Sequence, residues 1–468
     1  MAKPRRNEPK NGQSFVLTVV RNAEVLVTMD DTRREIAGGA LAFADGVIVA
    51  VGATVELAQL TKTADNVIEA AGCVVTPGLV NTHHHLYQTL TRAVPGAIDA
   101  SLFSWLRRLY PIWARYTPDD VYAATRLGLA ELALSGCTMS ADHLYLFPNG
   151  VTLDDTIAAA QTIGIRFHPT RGAMSVGQRA GGLPPDSLVE DEYAILNDTI
   201  RVIDRFHDAR PGAMVRVGVA PCSPFSVSQG LMRDAALLAR DKGVMLHTHL
   251  AEDADDVAFS LERFGCRPGD YAESLGWTGP DVWHAHCVQL DPREIALFAR
   301  TGTGVAHCPC SNCRLGSGIA PITAMMAQGV PLGIGVDGSA SNDSGNLLAE
   351  ARQAMLLQRV AGGAGALAPR DALYLATRGG AAVLGRSDCG ALAPGMRADF
   401  AVWDMDDLAS AGAWDLVAAL VLCPPAAARD VFVEGRGIVR DSELVQVRRD
   451  EILRAARLSR ARLMEFAG

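Results

Sequence analysis

A chain of 468 residues, 49% hydrophobic and 20% charged, is long enough for a large core plus an accessory module and too apolar to be disordered. Its formal net charge of -9 argues against a polyanionic partner, so nucleic-acid binding is not expected. No apolar stretch is long enough to cross a bilayer, and ten cysteines without small-scaffold spacing read as intracellular thiols rather than a disulfide framework.

The opening residues, MAKPRRNEPKNGQ, are basic and polar, with no apolar core before Ser14. Residues 1–14 therefore read as a disordered tail rather than a signal peptide, and the cytoplasm is the expected compartment. Residues 15–78 carry short apolar runs broken by turn signals, such as Asp45–Gly46 at the head of DGVIVAVG, which is hairpin texture. From 79 to 386 the texture changes. Strand-like runs alternate with helical stretches: GLVNT, RFHPT, RVGVAP, GVMLHTH, DVWHAHC, TGVAHCP and VPLGIGVD. That alternation implies a parallel sheet covered by helices, and the number of units implies a closed barrel. Over 387–446 the β texture returns, in ALAPGMRADFAVWD and ARDVFVEGRGIVRD, and 447–468 reads as a charged helix. The expected fold class is α/β: a (β/α)8 TIM-type barrel with a small β-sandwich module formed by both chain ends.

Nine of the eleven histidines lie in local groups. His83, His84 and His85 follow PGLVNT, His247 and His249 follow GVML, and His284 and His286 sit in DVWHAHC. His143 and His307 lie in SADHLY and TGVAHCP. Each group falls at or near the C-terminal end of a predicted strand, the barrel face on which active sites are built. Residues two apart on a strand point to the same side, so His83 and His85 can both face the axis while His84 points outward. Two imidazoles so placed can chelate one ion, and a third histidine with a carboxylate would complete a site for zinc or a similar metal. His249, with Glu252 three residues on, and Asp337, which closes VPLGIGV, can supply them. A lone strand-end histidine is as readily a hydrogen-bonded structural residue, and Glu252 alone could be an ordinary helix-start acid. The case rests on all these features occurring in barrel order. His247 and His284 read as packing or supporting residues.

Two further motifs carry less. GIGVDG matches G-x-G-x-x-G but is followed by a polar loop rather than a helix, so no dinucleotide site is expected. PCSNC, Pro309 to Cys313, matches half of a zinc-deaminase signature, yet no histidine has a glutamate two residues later. A strand-end turn lining the pocket is expected there.

PGLVNTHHHL, HTHLAED, WHAHCVQLD, GIGVDGSASND and GALAPGMRADFAVWD resemble, in order and over nearly the whole chain, the motifs of the amidohydrolase superfamily. The resemblance implies His83, His85, His249 and Asp337 as ligands of one divalent metal, Zn2+ in the first place, with Fe2+ or Mn2+ as alternatives. It implies Asp337 as the base toward water, Glu252 as the carrier of a proton to a ring nitrogen, and His286 as the hydrogen-bonding partner of the developing charge. No lysine occupies a strand end in mid-barrel, which fits a single-metal subtype. HHHLYQTLTRAVP, SADHLYLFPNG and RGAMSVGQRAGGLPPDSLVEDE are similar to the guanine/cytosine deaminase-like branch, which implies deamination of a purine-like free base. The reaction so implied is 8-oxoguanine to urate and ammonia, with isocytosine, guanine, isoxanthopterin or an s-triazine as alternative rings. Gln88 matches a position that holds the base in that branch, and its amide suits a lactam edge. Trp105, Arg171 and Cys222 are further candidates for substrate contact; Trp105 could equally be plain core, and Arg171 could pair with an acid instead. A homo-oligomer is expected. A relative used as a non-catalytic scaffold would have lost metal ligands, and this chain keeps them.

Overall fold

Eight short runs of almost wholly buried residues form the centre of the computed structural model, which describes residues 16–424 and 427–466. They are β1 (Leu79–Asn81), β2 (Cys137–Leu144), β3 (Arg166–Ala173), β4 (Gly218–Pro221), β5 (Leu246–Leu250), β6 (Val282–His286), β7 (Gly304–His307) and β8 (Leu332–Ile334). All pairings are parallel and follow chain order, and Ile334 opposite Asn81 closes the ring between β8 and β1. Helices cover the outer face and side chains fill the inner one, so these strands show no polar alternation. The predicted tail, residues 1–14, lies outside the described residues.

Local signals explain how the chain turns from strand to helix and back. The helix Pro118–Leu134 opens with a Thr117/Asp120 capping box and proline in its first position. The helix Leu153–Ile163 opens with the same device, Thr152/Asp155, and closes on Gly164 at φ 84°. That left-handed conformation is cheap only for glycine, and it returns the chain to β3 two residues later.

The remaining strands form a second sheet of nine, contributed by both chain ends. Leu17–Val27, Glu35–Ala44, Val47–Ala53, Asn66–Glu69 and Cys73–Pro77 precede the barrel; Phe400–Asp404, Asp430–Val433, Arg436–Arg440 and Glu443–Leu444 follow it. The two sets join where Cys73–Pro77 pairs antiparallel with Phe400–Asp404. Hydrogen bonding is continuous across the sheet, yet Phe43 and Phe432, four strands apart, have ring centroids 6.2 Å apart. A flat sheet would separate them by about 19 Å at the usual strand spacing. The sheet therefore folds over on itself. Its inner face buries Val20, Leu41, Phe43, Val75, Phe400 and Phe432, so one sheet does the packing of the expected sandwich.

Arg166, at the N-terminal end of β3, fastens this module to the barrel. Its guanidinium is fully buried and donates to Asp399 Oδ1 at 2.9 Å, to Glu434, and to the carbonyls of Gly212 and Ala213 at 2.7 and 3.2 Å. The module thus sits at the end of the barrel opposite the histidines, leaving their face open. The C-terminal helix Arg449–Met464 lies along Pro118–Leu134, with Arg462 paired to Asp120. Among the described residues no helix is long and apolar enough to cross a membrane.

Candidate metal centre and catalytic cleft

β1 ends at Asn81, and its side chain continues the ladder where the strand stops: Oδ1 accepts from Val336 N at 2.9 Å and Nδ2 donates to Ser140 Oγ at 3.0 Å. The main chain then alternates. The His83 carbonyl accepts from Asp337 N at 3.0 Å and the His84 carbonyl from His143 N at 2.7 Å. His83 and His85 consequently face the axis. His84 is buried on the outer side, against Gly128 of the helical layer.

The hydrogen bonds of the imidazoles fix their tautomers. His85 Nδ1 meets the carbonyl of His143 at 2.7 Å and His249 Nδ1 the carbonyl of Cys222 at 2.6 Å. A carbonyl can only accept, so both Nδ1 atoms carry the proton and both Nε2 atoms are lone pairs. His83 reaches the same state through a relay. His247 Nδ1 donates to the Trp283 carbonyl at 2.9 Å, so His247 Nε2 accepts from His83 Nδ1 at 2.8 Å. His247, expected only to pack or support, thereby sets the tautomer of His83.

Three lone pairs converge as a result. His85 Nε2 and His249 Nε2 stand 3.0 Å apart with no proton between them. Asp337 Oδ1 lies 3.3 Å from His83 Nε2 and 3.4 Å from His85 Nε2, and His83 Nε2 has no hydrogen-bond partner. Facing lone pairs beside a carboxylate repel one another unless a cation lies among them, so the donor set fits a divalent metal. The charge states agree. Burial pushes His83 and His249 well down and lowers His85 too, which favours the neutral form of each. Burial would raise Asp337, but the close approach of the His83, His286 and His85 rings outweighs it and holds the carboxyl well below its usual range. Neutral imidazole and ionised carboxylate are the forms that bind metal.

A fourth imidazole stands in this cluster. His143 Nε2 donates to the Ala220 carbonyl at 2.8 Å, leaving Nδ1 a lone pair without a partner. His83, His85, His143 and His249 offer ligand atoms all within 4.8 Å of one another. Sequence reasoning placed His143 at a strand end but gave it no role; its spacing from the other groups carries no chelating signal.

Beside the cluster, Glu252 Oε2 is 3.6 Å from His286 Nε2, which is 3.9 Å from Asp337 Oδ2. Burial pushes the Glu252 carboxyl well above its usual range, and the charge of Asp337 pushes the same way. The two buried carboxyls are thus pushed in opposite directions, Glu252 toward the protonated form and Asp337 toward the ionised one, a split that suits one acid and one base. Asp337 Oδ2 accepts from Ser311 Oγ at 2.5 Å and Ser341 Oγ at 3.2 Å. His286 Nδ1 faces Asn312 Oδ1 at 2.9 Å. Ser311 and Asn312 belong to PCSNC, where a short helix, Pro309–Leu315, replaces the expected turn. The segment was expected to line the pocket, but nothing in its sequence assigned either residue a partner.

The cleft above these groups has Gln88 and Glu252 among its polar lining and Trp105, Tyr145, Phe225 and Leu315 among its apolar walls, which suits a flat ring with polar edges. Gln88 Nε2 donates to Tyr87 OH at 3.2 Å, leaving Oε1 a buried acceptor without a partner. A Cβ at residue 338 would come within 1.9 Å of Gln88 Oε1, so Gly338 is what lets the amide sit there. Trp105 fills both roles considered for it, lining the cleft while its Nε1 anchors the helix Leu102–Trp113 to the Ala340 carbonyl at 3.0 Å. Cys222 lines the cleft too, its thiol pushed up to about 12 by burial. Of the two roles considered for Arg171, substrate contact and pairing with an acid, the structure shows the second. Its guanidinium is committed to Asp198 at 2.9 Å and Glu190 at 2.8 Å and lies over Phe147, away from the cleft lining. At the end of β3 it points into the helical layer, where two carboxylates neutralise it. His284 likewise packs outside the cleft, bonded to the Trp277 carbonyl at 2.9 Å.

A closed parallel barrel with a returning β module and converging strand-end histidines defines an amidohydrolase. A sequence profile of the amidohydrolase family matches residues 74–437, and the chain belongs to that family. It is 48% identical over 404 residues to the 8-oxoguanine deaminase of Pseudomonas aeruginosa, covering 85% of this chain and 90% of that protein. It is 38% identical over 418 residues to an isoxanthopterin deaminase from an unknown prokaryotic organism, covering 83% of this chain and 85% of that one. Among solved structures it resembles atrazine chlorohydrolase from Arthrobacter aurescens TC1 complexed with zinc, with a TM-score of 0.90, 33% identity, and coverage of 95% of this chain and 100% of that one.

Proposed function

We propose that this protein is a hydrolytic deaminase of a purine-like free base, converting 8-oxoguanine and water to urate and ammonia. His83, His85, His249 and Asp337 would hold one zinc ion. The observation that carries the reading is the set of inward lone pairs on His83, His85 and His249, left without protons beside ionised Asp337 and protonated Glu252. The similarity to 8-oxoguanine deaminase supports the choice of ring.

A divalent ion held there supplies the Lewis acidity that makes water a nucleophile near pH 7. The protein does the rest. Asp337 takes a proton from the attacking water. Glu252 gives its proton to the ring nitrogen beside the carbon that bears the amino group, so that carbon can become tetrahedral without building up anionic charge on the ring. His286 hydrogen-bonds the oxygen that attacks, from a position fixed before substrate arrives. Gln88 Oε1 accepts from a ring N–H, and the apolar walls hold the plane. Proton return to the amino nitrogen releases ammonia. In this reading 79–386 is the catalytic barrel, 15–78 and 387–446 its supporting module, and 447–468 the closing helix.

The test is a steady-state panel on one metal-analysed preparation: 8-oxoguanine, guanine, isocytosine, isoxanthopterin and a hydroxytriazine. The expected result is the highest kcat/KM on 8-oxoguanine, with urate and ammonia formed in equal amounts. A higher value on isoxanthopterin or the triazine would move the assignment to that ring. Metal-loaded protein inert on every ring would favour the scaffold reading.

A further inference from the structure

We propose that Asn312 is a positioning residue that holds His286 in the tautomer and orientation the reaction needs. This rests on the reading of His286 given above. Asn312 is 1% exposed, and its backbone is pinned by the hydrogen bond from its own N–H to the Cys308 carbonyl at 3.0 Å. Its side-chain oxygen lies 2.9 Å from His286 Nδ1, and its Nδ2 has no partner among the described residues. The amide oxygen accepts, so Nδ1 carries a proton and Nε2 is turned toward Glu252 and Asp337, at 3.6 and 3.9 Å. An outer partner of this kind both selects the ring nitrogen that is free to act and restrains the ring about χ2.

The helix Pro309–Leu315 makes this a joint device. Ser311 donates to Asp337 Oδ2 at 2.5 Å while its neighbour Asn312 holds His286, so one short turn sets two groups of the cleft against each other. No other side chain among the described residues hydrogen-bonds His286 Nδ1. Leucine at 312 would fill the space and leave Nδ1 without an acceptor. Aspartate would restore one in either rotamer.

The experiment compares zinc-loaded wild type, Asn312→Leu, Asn312→Asp, His286→Asn and the double variant His286→Asn/Asn312→Leu, on 8-oxoguanine. Asn312→Leu should lower kcat by about 10- to 100-fold, the usual effect of removing an outer hydrogen-bond partner, with KM and zinc content little changed. Asn312→Asp should recover most of that loss. In the His286→Asn background the leucine substitution should cost nothing more, because its effect passes through the imidazole. Long-range 1H–15N spectra, with His286 assigned by its absence in His286→Asn, should show a protonated Nδ1 in wild type and Asn312→Asp but not in Asn312→Leu. An equal loss in both backgrounds, or aspartate no better than leucine, overturns the proposal. So does an unprotonated Nδ1 in wild type, whatever the kinetics. If His286→Asn keeps the wild-type rate, the reading of His286 fails, and the role of Asn312 falls with it.

Discussion

Glu252→Gln separates proton transfer from binding more cleanly than any other change in the cleft. The residue is 4% exposed and burial pushes its carboxyl well above the usual range, toward the protonated form, so wild type carries an acid where the ring nitrogen would lie. Glutamine has the same volume and still donates a hydrogen bond, but it cannot give up a proton. Loss of a positioned general acid costs about 10²- to 10⁴-fold in rate, or about 3 to 5 kcal/mol in barrier height. KM should stay within a few-fold, since the shape of the wall is kept. Metal content should not change, because Glu252 is outside the converging set of His83, His85, His249 and Asp337. The pH profile adds a signature. Wild-type activity should fall at high pH as Glu252 loses its proton, and the variant's residual activity should lack that limb. The assay is ammonia release across pH 6 to 10, with elemental analysis of the same samples. A kcat near wild type, or a loss matched by loss of metal, would refute the acid role.

Three other perturbations have readable outcomes. Asp337→Ala removes the carboxylate that faces His83 and His85, so turnover should vanish and metal should wash out during dialysis; retention of one ion per chain would remove Asp337 from the ligand set. Arg166→Leu leaves Asp399 buried without its cation, while Glu434 keeps Arg397, which should cost about 3 to 5 kcal/mol and lower the melting temperature by several degrees. A melting temperature equal to wild type would show that the module does not depend on this pair. Burial raises Asp142 from 3.8 to about 7, so the folded state keeps its proton where the unfolded chain loses it. The contribution of this group to stability should therefore be largest below pH 4 and fall by about 4 kcal/mol as the pH rises to 7, by linkage. Asp142→Asn keeps the acceptor for Leu86 N and cannot ionise, so its thermal stability should decline less between pH 5 and 7.5; an unchanged decline would sink the assignment.

The barrel was legible because its strands are buried on both faces and therefore read as short apolar runs, each ending in a polar or histidine-bearing turn. His83 and His85 were legible because a period of two puts them on one side of the chain. What could not be read was anything decided by main-chain carbonyls. Nothing in the sequence shows that His143 O, Cys222 O and Trp283 O anchor the imidazoles, yet those contacts fix which nitrogens are free. Arg171 was left between two roles for a related reason. A strand-end position gives proximity to the cleft, but the partners Asp198 and Glu190 come from a separate stretch of chain and turn the side chain away. The nine-stranded sheet shows the same limit: alternation predicts strands with one buried face, and only the contact of Phe43 with Phe432 shows how that face closes.

Residue types at strand ends do not by themselves make a site, because eight equivalent ends point eight ways. The backbone resolves this at a local cost. Ala251, His286, Cys287 and Asp337 all have φ between 50° and 70°. Non-glycine residues pay about 1 to 2 kcal/mol each for that conformation. These four residues lie at the exits of β5, β6 and β8, the strands that deliver Glu252, His286 and Asp337. The exits of β5 and β6 are bonded to each other, Cys287 N to the Leu250 carbonyl at 3.1 Å and Gln289 N to the Ala251 carbonyl at 3.0 Å, and the β8 exit is held by its own bond from Gly338 N to Asp337 Oδ1 at 2.6 Å. Each turn aims a side chain the relaxed strand would have sent elsewhere. Backbone strain gathered at these three strand ends is what brings the His286 ring within 4 Å of both Glu252 and Asp337.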